Sequence, residues 1–136
     1  MPDPSVERVV VDASAVVEAL IGTPRGAIVR ARMRGCELHA PAHLDAEVLS
    51  ALGRLHRAGD LPAMSVTGAL TELAAAPIAR HQLAGLLAGA WGVRNSLRLV
   101  DALYVELSSS LGTALLTTDA RLARESTVAE LVRRPG

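Results

Sequence analysis

The chain is 136 residues and 14.2 kDa, enough for one compact domain and too short for two ordinary ones. Half the residues are hydrophobic, 21% are charged and mean hydropathy is +0.31, a balance that excludes a disordered chain. Fourteen basic and fourteen acidic residues cancel, which argues against a domain that coats nucleic acid through bulk positive charge.

In chain order, Arg8 to Val11 is a short β-branched run that reads as a buried strand ending at Asp12. Ser14 opens an apolar helical stretch through Ile21, and Gly22 stops it. Pro24 suits the first turn of a second helix, Arg25 to Met33, closed by Gly35. Glu37 to Ala40 reads as a second strand. A long helix follows, His43 to Arg57, with Leu44, Val48, Leu52 and Leu55 on one stripe. Pro62 starts another helix to Ala75, Ile78 to Gln82 is a third strand, and a helix runs on through Trp91. Val100 to Leu111 is helical and ends at Gly112. Ala114 to Thr117 is a strand, Asp119 to Arg124 a helical turn or two, and Thr127 to Val132 a last strand.

Strands alternating with helices predict an α/β fold, a mostly parallel sheet covered by helices on both faces. A single domain over 7–133 is expected, with tails at 1–6 and 134–136. Trp91 and Tyr104 are the only aromatics, so the core must be built from Ala, Leu and Val. The same scarcity argues against a stacking platform for single-stranded bases. Cys36, alone, excludes an internal disulfide framework and reads as a small buried apolar residue near a strand start. Met1 to Arg8 has no charged-then-apolar signal pattern, and no apolar run approaches the roughly 20 residues of a membrane span. The expectation is a cytoplasmic protein.

Four acids stand among apolar neighbours: Asp12 in VVVDASAVV, Glu47 in LDAEVLSAL, Asp101 in LRLVDALYVEL and Asp119 in ALLTTDARLA. Each has a bland explanation. Asp12, Asp101 and Asp119 could cap the helices that follow them, and Glu47 could lie on a solvent edge. Jointly they read differently. In a parallel sheet chemistry gathers at the carboxyl ends of the strands, where Asp12 and Asp119 fall. Two carboxylates 4 Å apart repel by about 4 kcal/mol at an effective dielectric near 20, so four together need protons or cations. Oxygen ligands without Cys or His select Mg²⁺ or Mn²⁺. Such an ion activates water and stabilises a displaced oxygen, which is the chemistry of phosphodiester hydrolysis.

The segments VVVDASAVVEAL, APAHLDAEVLSALGRLHRAGDL and RLVDALYVELSSSLGTALLTTDARLA carry a family resemblance in their order and spacing. So do the D-A-x-Y and L-x-T-x-D signatures within the last. The chain resembles PIN-domain ribonucleases, specifically VapC-type toxins of bacterial toxin–antitoxin pairs. The resemblance implies a three-layer α/β/α fold and a Mg²⁺- or Mn²⁺-dependent endoribonuclease leaving a 5′-phosphate and a 3′-hydroxyl. It also implies an RNA substrate, a cognate VapB-like antitoxin and a homodimer. By position, Asp12, Glu47, Asp101 and Asp119 map onto the family's acidic quartet. Ser14 and Thr118 map onto hydroxyl positions that orient a carboxylate or a metal-bound water. Two positions depart from the pattern: Ser50 replaces a frequent Asn, and Arg98 replaces a small hydroxyl residue.

Arg98 and Arg121 flank these acids and are candidates for positioning RNA phosphates, against the plainer reading as solvated helix faces. An Arg-rich, Lys-free composition is also what the codon bias of a GC-rich genome gives. His39, His43, His56 and His81 are scattered without metal spacing and read as surface or packing residues. Two other functions compete. One is an aspartyl-phosphate phosphatase with Asp12 as nucleophile, disfavoured by Ser14 where a second acid is usual and by the absence of Lys. The other is a non-catalytic module that binds RNA or a partner.

Overall fold

The computed structural model describes residues 3–136; Met1 and Pro2 of the expected tail lie outside the described residues. Five strands form one parallel sheet: β1 (Arg8–Val11), β2 (Glu37–Pro41), β3 (Ile78–His81), β4 (Leu115–Thr117) and β5 (Ala129–Leu131). Their order across the sheet is β3-β2-β1-β4-β5. Seven α-helices connect them: α1 (Ala13–Ile21), α2 (Pro24–Met33), α3 (Leu44–Arg57), α4 (Ala63–Ala75), α5 (Leu87–Gly92), α6 (Leu99–Leu111) and α7 (Ala120–Glu125).

The chain winds from β1 to β3 in one direction, then crosses back to β4 and runs the other way. Right-handed crossovers place helices of the two halves on opposite faces. Accordingly α1 packs with α2, α3 and α4, while α6 packs on β1, β2 and β4 and α7 on β4 and β5. The result is the expected three-layer α/β/α fold. Strand order reverses between β1 and β4, and the crevice outside their carboxyl ends is where such folds bind ligands.

The core matches the composition. Val9, Val10, Val11, Leu115 and Leu116 are fully buried in the central strands, and Leu44, Val48 and Leu52 bury the predicted stripe of α3. Tyr104, 2% exposed, is the largest buried side chain. Gly26 lets α2 approach α1 closely: a Cβ there would lie 1.9 Å from the Glu18 carbonyl oxygen. Gly22 and Gly112 end α1 and α6 in the left-handed region, at φ 74° and 67°.

Three expectations change. The helix expected to run through Trp91 is a 3-10 turn, Ala84–Leu86, followed by the short α5. Cys36 is only half-buried; it sits in the turn before β2, where it packs on the edge of the core while its Sγ also meets Glu7 and Arg32. Asp101 does not cap α6. That helix begins at Leu99 with Arg98 at the cap, leaving the Asp101 carboxylate in the first turn.

Candidate active site

The C-terminal ends of β1 and β4 deliver two of the four acids directly. Asp12 follows β1 and caps α1, its Oδ1 accepting from the Ala15 amide at 2.9 Å and the Ser14 hydroxyl at 2.7 Å. Asp119 follows β4 and caps α7, its Oδ1 accepting from the amides of Arg121 and Leu122. Capping and a functional role are therefore not alternatives: each carboxylate spends Oδ1 on its helix, which leaves Asp12 Oδ2 unengaged and turns Asp119 Oδ2 toward the Arg121 guanidinium. Glu47 enters from the first turn of α3 and Asp101 from the first turn of α6.

All four line one cleft of about 550 Å³, together with Ser14, Thr118, Arg98 and Tyr104. Residues separated by up to 107 positions thus share one pocket at the reversal point of the sheet. Asp12 is almost fully buried, and its pKa is pushed up to about 6. Burial is the largest cause and the charge of Asp119 adds to it, against hydrogen bonds from Thr117, Ala15 and Ser14.

Hydroxyl groups stitch the two strand ends together. Ser14 Oγ donates to Asp12, lies 3.2 Å from Thr117 Oγ1 and accepts from the Thr118 amide at 3.0 Å. Thr117 Oγ1 accepts from the Asp119 amide at 3.0 Å. Ser14 thus links the Asp12 carboxylate to the end of β4. Thr118 lines the cleft and enters this network through its backbone amide, while the hydroxyl that joins it is that of the fully buried Thr117.

Arginines meet the acids on the outer side. Arg121 Nη2 donates to Asp101 Oδ2 at 2.8 Å and to Asp119 Oδ2 at 3.2 Å. Arg98 Nε donates to the same Asp101 oxygen at 3.1 Å. Both flanking arginines are therefore engaged with the site and are not merely solvated.

Two residues escaped the sequence reading as contributors. The Tyr104 hydroxyl donates to Glu47 Oε1 at 2.6 Å. Burial first, and then the Glu47 carboxylate, push the phenol pKa well up, so it stays a donor. His43, read as a surface or packing residue, lies one helical turn before Glu47, with Nε2 3.4 Å from Glu47 Oε1 and 3.0 Å from the Val100 carbonyl. Its ring lies against that of Tyr104 at 4.7 Å. The available signals were the spacing of four from His43 to Glu47 and a tyrosine in a chain nearly without aromatics. Two more of the scattered histidines also meet, away from the cleft: His39 Nδ1 lies 2.8 Å from His81 Nε2, and His39 Nε2 donates to Glu37 at 2.7 Å.

The donor set is all oxygen. Asp12 Oδ2, Glu47 Oε2 and Asp101 Oδ1 take part in no hydrogen bond among the described residues. Nor do any three carboxylates there converge closely enough to enclose an ion. The arrangement is an open one. Mg²⁺ accepts this readily, because it keeps several waters and takes one or two carboxylates directly.

A family model for the PIN domain matches residues 9–126. The ribonuclease VapC3 of Mycobacterium tuberculosis is 58% identical over 124 residues, covering 90% of each chain. The ribonuclease VapC12 of the same organism is 35% identical over 116 residues, 85% of this chain and 90% of that one. Among solved structures, M. tuberculosis VapC20, described as a sarcin-ricin loop cleaving toxin, superposes with a TM-score of 0.67 at 19% identity. That match covers 93% of this chain and 99% of the other, and at such low identity it speaks for the fold.

Proposed function

The chain belongs to the PIN-domain family, among the VapC-type ribonucleases, and from that premise we propose a divalent-metal-dependent endoribonuclease that hydrolyses RNA phosphodiester bonds as the toxin of a toxin–antitoxin pair. The observation that carries the reading is the meeting of Asp12, Glu47, Asp101 and Asp119 in one cleft. The names of the relatives, ribonucleases throughout, support the activity. No helix among the described residues is long and apolar enough to cross a membrane.

Asp12 and Asp101 would hold Mg²⁺ or Mn²⁺ through their unengaged oxygens, with Glu47 and Asp119 joining through water. When bound, the ion supplies Lewis acidity toward the phosphate and lowers the pKa of water in the cleft. The residues do the rest. Ser14 and the Ala15 amide fix Asp12, and Tyr104 fixes Glu47, so the acids are oriented before substrate arrives. Glu47, half-exposed, is placed to accept a proton from the attacking water. Arg98 and Arg121 bear the positive charge nearest the acids and receive the phosphate as it enters.

A VapB-like antitoxin as partner and a homodimeric toxin complete the proposal. The exposed apolar side chains of Leu87, Trp91, Leu99 and Val100 are the surface we assign to self-association. Light scattering on the purified chain reads its oligomeric state.

The test is cleavage. The purified chain, free of any partner, is incubated with structured RNA and Mg²⁺ or Mn²⁺. Cleavage is expected to leave 5′-phosphate ends, to stop in EDTA and to be lost in Asp12→Asn and Asp101→Asn. Equal cleavage by these variants and the parent protein would defeat the mechanism.

A further inference from the structure

The cleft continues well beyond the acids. Its walls are two helical stripes, Ser14, Val17, Glu18 and Ile21 on α1 and Glu47, Ser50, Ala51, Arg54 and Leu55 on α3. Both stripes repeat at i, i+3, i+4 and i+7, the spacing of one helix face. Each therefore runs about 10 Å along its helix at 1.5 Å per residue. The acids Asp12 and Glu47 stand where both helices begin, so the trough leads away from the acids toward Arg54.

Three arginines line this cleft: Arg25, Arg54 and Arg98. Two are already paired, Arg25 with Glu18 at 2.6 Å and Arg98 with Asp101 at 3.1 Å. Arg54 is not. Among the described residues its one side-chain hydrogen bond is from Nη1 to Ser50 Oγ at 2.9 Å, and no carboxylate lies within ion-pair distance. Both residues are exposed and line the cleft, so this bond lays the guanidinium along the open trough wall, in contact with solvent.

The opposite wall is fixed as well. Glu18 is gripped by the Thr23 hydroxyl and by Arg25, and these hold its carboxyl below the usual range despite the cost of burial. That wall is locally neutral, and it stays in place because Gly26 seats α2 directly on α1. The far half of the trough thus holds one uncompensated positive charge, about two helical turns from a cluster of negative ones.

We infer that Arg54 contacts a backbone phosphate flanking the scissile one, so that RNA lies along the α1–α3 trough from the acids toward Arg54. This rests on the ribonuclease reading above. It adds a second contact point and a direction for the strand. A polyanion suits this layout: one phosphate needs the divalent ion at the acids, and a neighbouring phosphate meets a cation already there. Such a contact positions the strand and carries no sequence preference.

The test uses a short fluorescein-labelled oligouridylate in the Asp12→Asn background with Mg²⁺, so that binding is read without cleavage. Arg54→Gln is expected to weaken binding about three- to tenfold and to lower the slope of log K against log salt by about 1. Arg54→Lys keeps the slope. Arg57→Gln makes the same charge change on the same helix but outside the cleft lining, and it is expected to leave the slope unchanged. In the cleaving protein Arg54→Gln raises KM with kcat nearly constant, the signature of lost uniform binding. A slope for Arg54→Gln equal to that of Arg57→Gln overturns the assignment, and metal-dependent cleavage by the parent protein would still leave the ribonuclease reading standing. A parent protein that neither binds nor cleaves RNA with Mg²⁺ or Mn²⁺ overturns both.

Discussion

Tyr104 and Glu47, 57 residues apart, are joined by a 2.6 Å hydrogen bond from the phenol to the carboxylate, which ties α6 to α3 in the wall of the cleft. The donor is buried and the acceptor half-exposed, so the bond reaches from the core into the site. One contact therefore serves both stability and the orientation of an acid.

Replacing Tyr104 by Phe keeps the packing and removes the donor. Water can partly replace the lost bond at Glu47, so the cost in a urea titration is about 1–2 kcal/mol. Cleavage slows while RNA affinity holds, because the change disturbs an acid and leaves the phosphate contacts alone. Unaltered cleavage rates would show that Glu47 needs no anchor.

Gly26→Ala sets helix propensity against sterics. Alanine favours the helix by up to about 1 kcal/mol. The new methyl, however, would overlap the Glu18 carbonyl at 1.9 Å, and that atom is backbone. Overpacking wins, at about 3 kcal/mol. Thermal unfolding is expected at a clearly lower temperature. A variant as stable as the parent would mean that α2 moves freely on α1.

Arg121 occupies the space between Asp101 and Asp119 with a positive charge. Arg121→Gln keeps much of the side chain and removes that charge. Mn²⁺ binding, measured by calorimetry without RNA, is expected to tighten about tenfold, equivalent to 1.4 kcal/mol. Weaker binding would assign Arg121 a supporting role toward the ion.

Acid sensitivity is expected at the His39–His81 pair. Burial, and then the nearby His39, lower the His81 pKa from its usual 6.5. The unfolded chain therefore takes up this proton at a higher pH than the folded one. Stability is unaffected well above pH 6.5 and falls as pH drops through 6.5 toward the folded value, where the loss levels off. Denaturation at a series of pH values is expected to show a smaller loss over that window for His81→Gln. An identical loss in the variant would place the titration elsewhere.

Much of this was legible in the residues. β1 is found at the predicted bounds, and most other elements differ only at their ends, because Gly22, Gly112 and the prolines punctuate the chain. The four acids could be singled out because charge in an apolar segment demands compensation. Partnerships were harder to see. Local spacing cannot tell that Arg121 reaches Asp101 twenty positions away, or that Tyr104 finds Glu47. Thr117 was passed over because, in so short a strand, apolar alternation does not fix which way a hydroxyl faces. Cys36 packs on the core as its residue type suggests but is less buried than expected, because it stands in a turn beside Glu7 and Arg32.

Crystals grown with Mn²⁺ and measured for its anomalous scattering offer the most direct check on the central claim. A single strong peak, or a close pair, in contact with carboxylate oxygens of Asp12 and Asp101 is expected, with Glu47 and Asp119 within reach through water. A cleft without such density at saturating Mn²⁺, with Arg98 and Arg121 still paired to Asp101, would contradict the account.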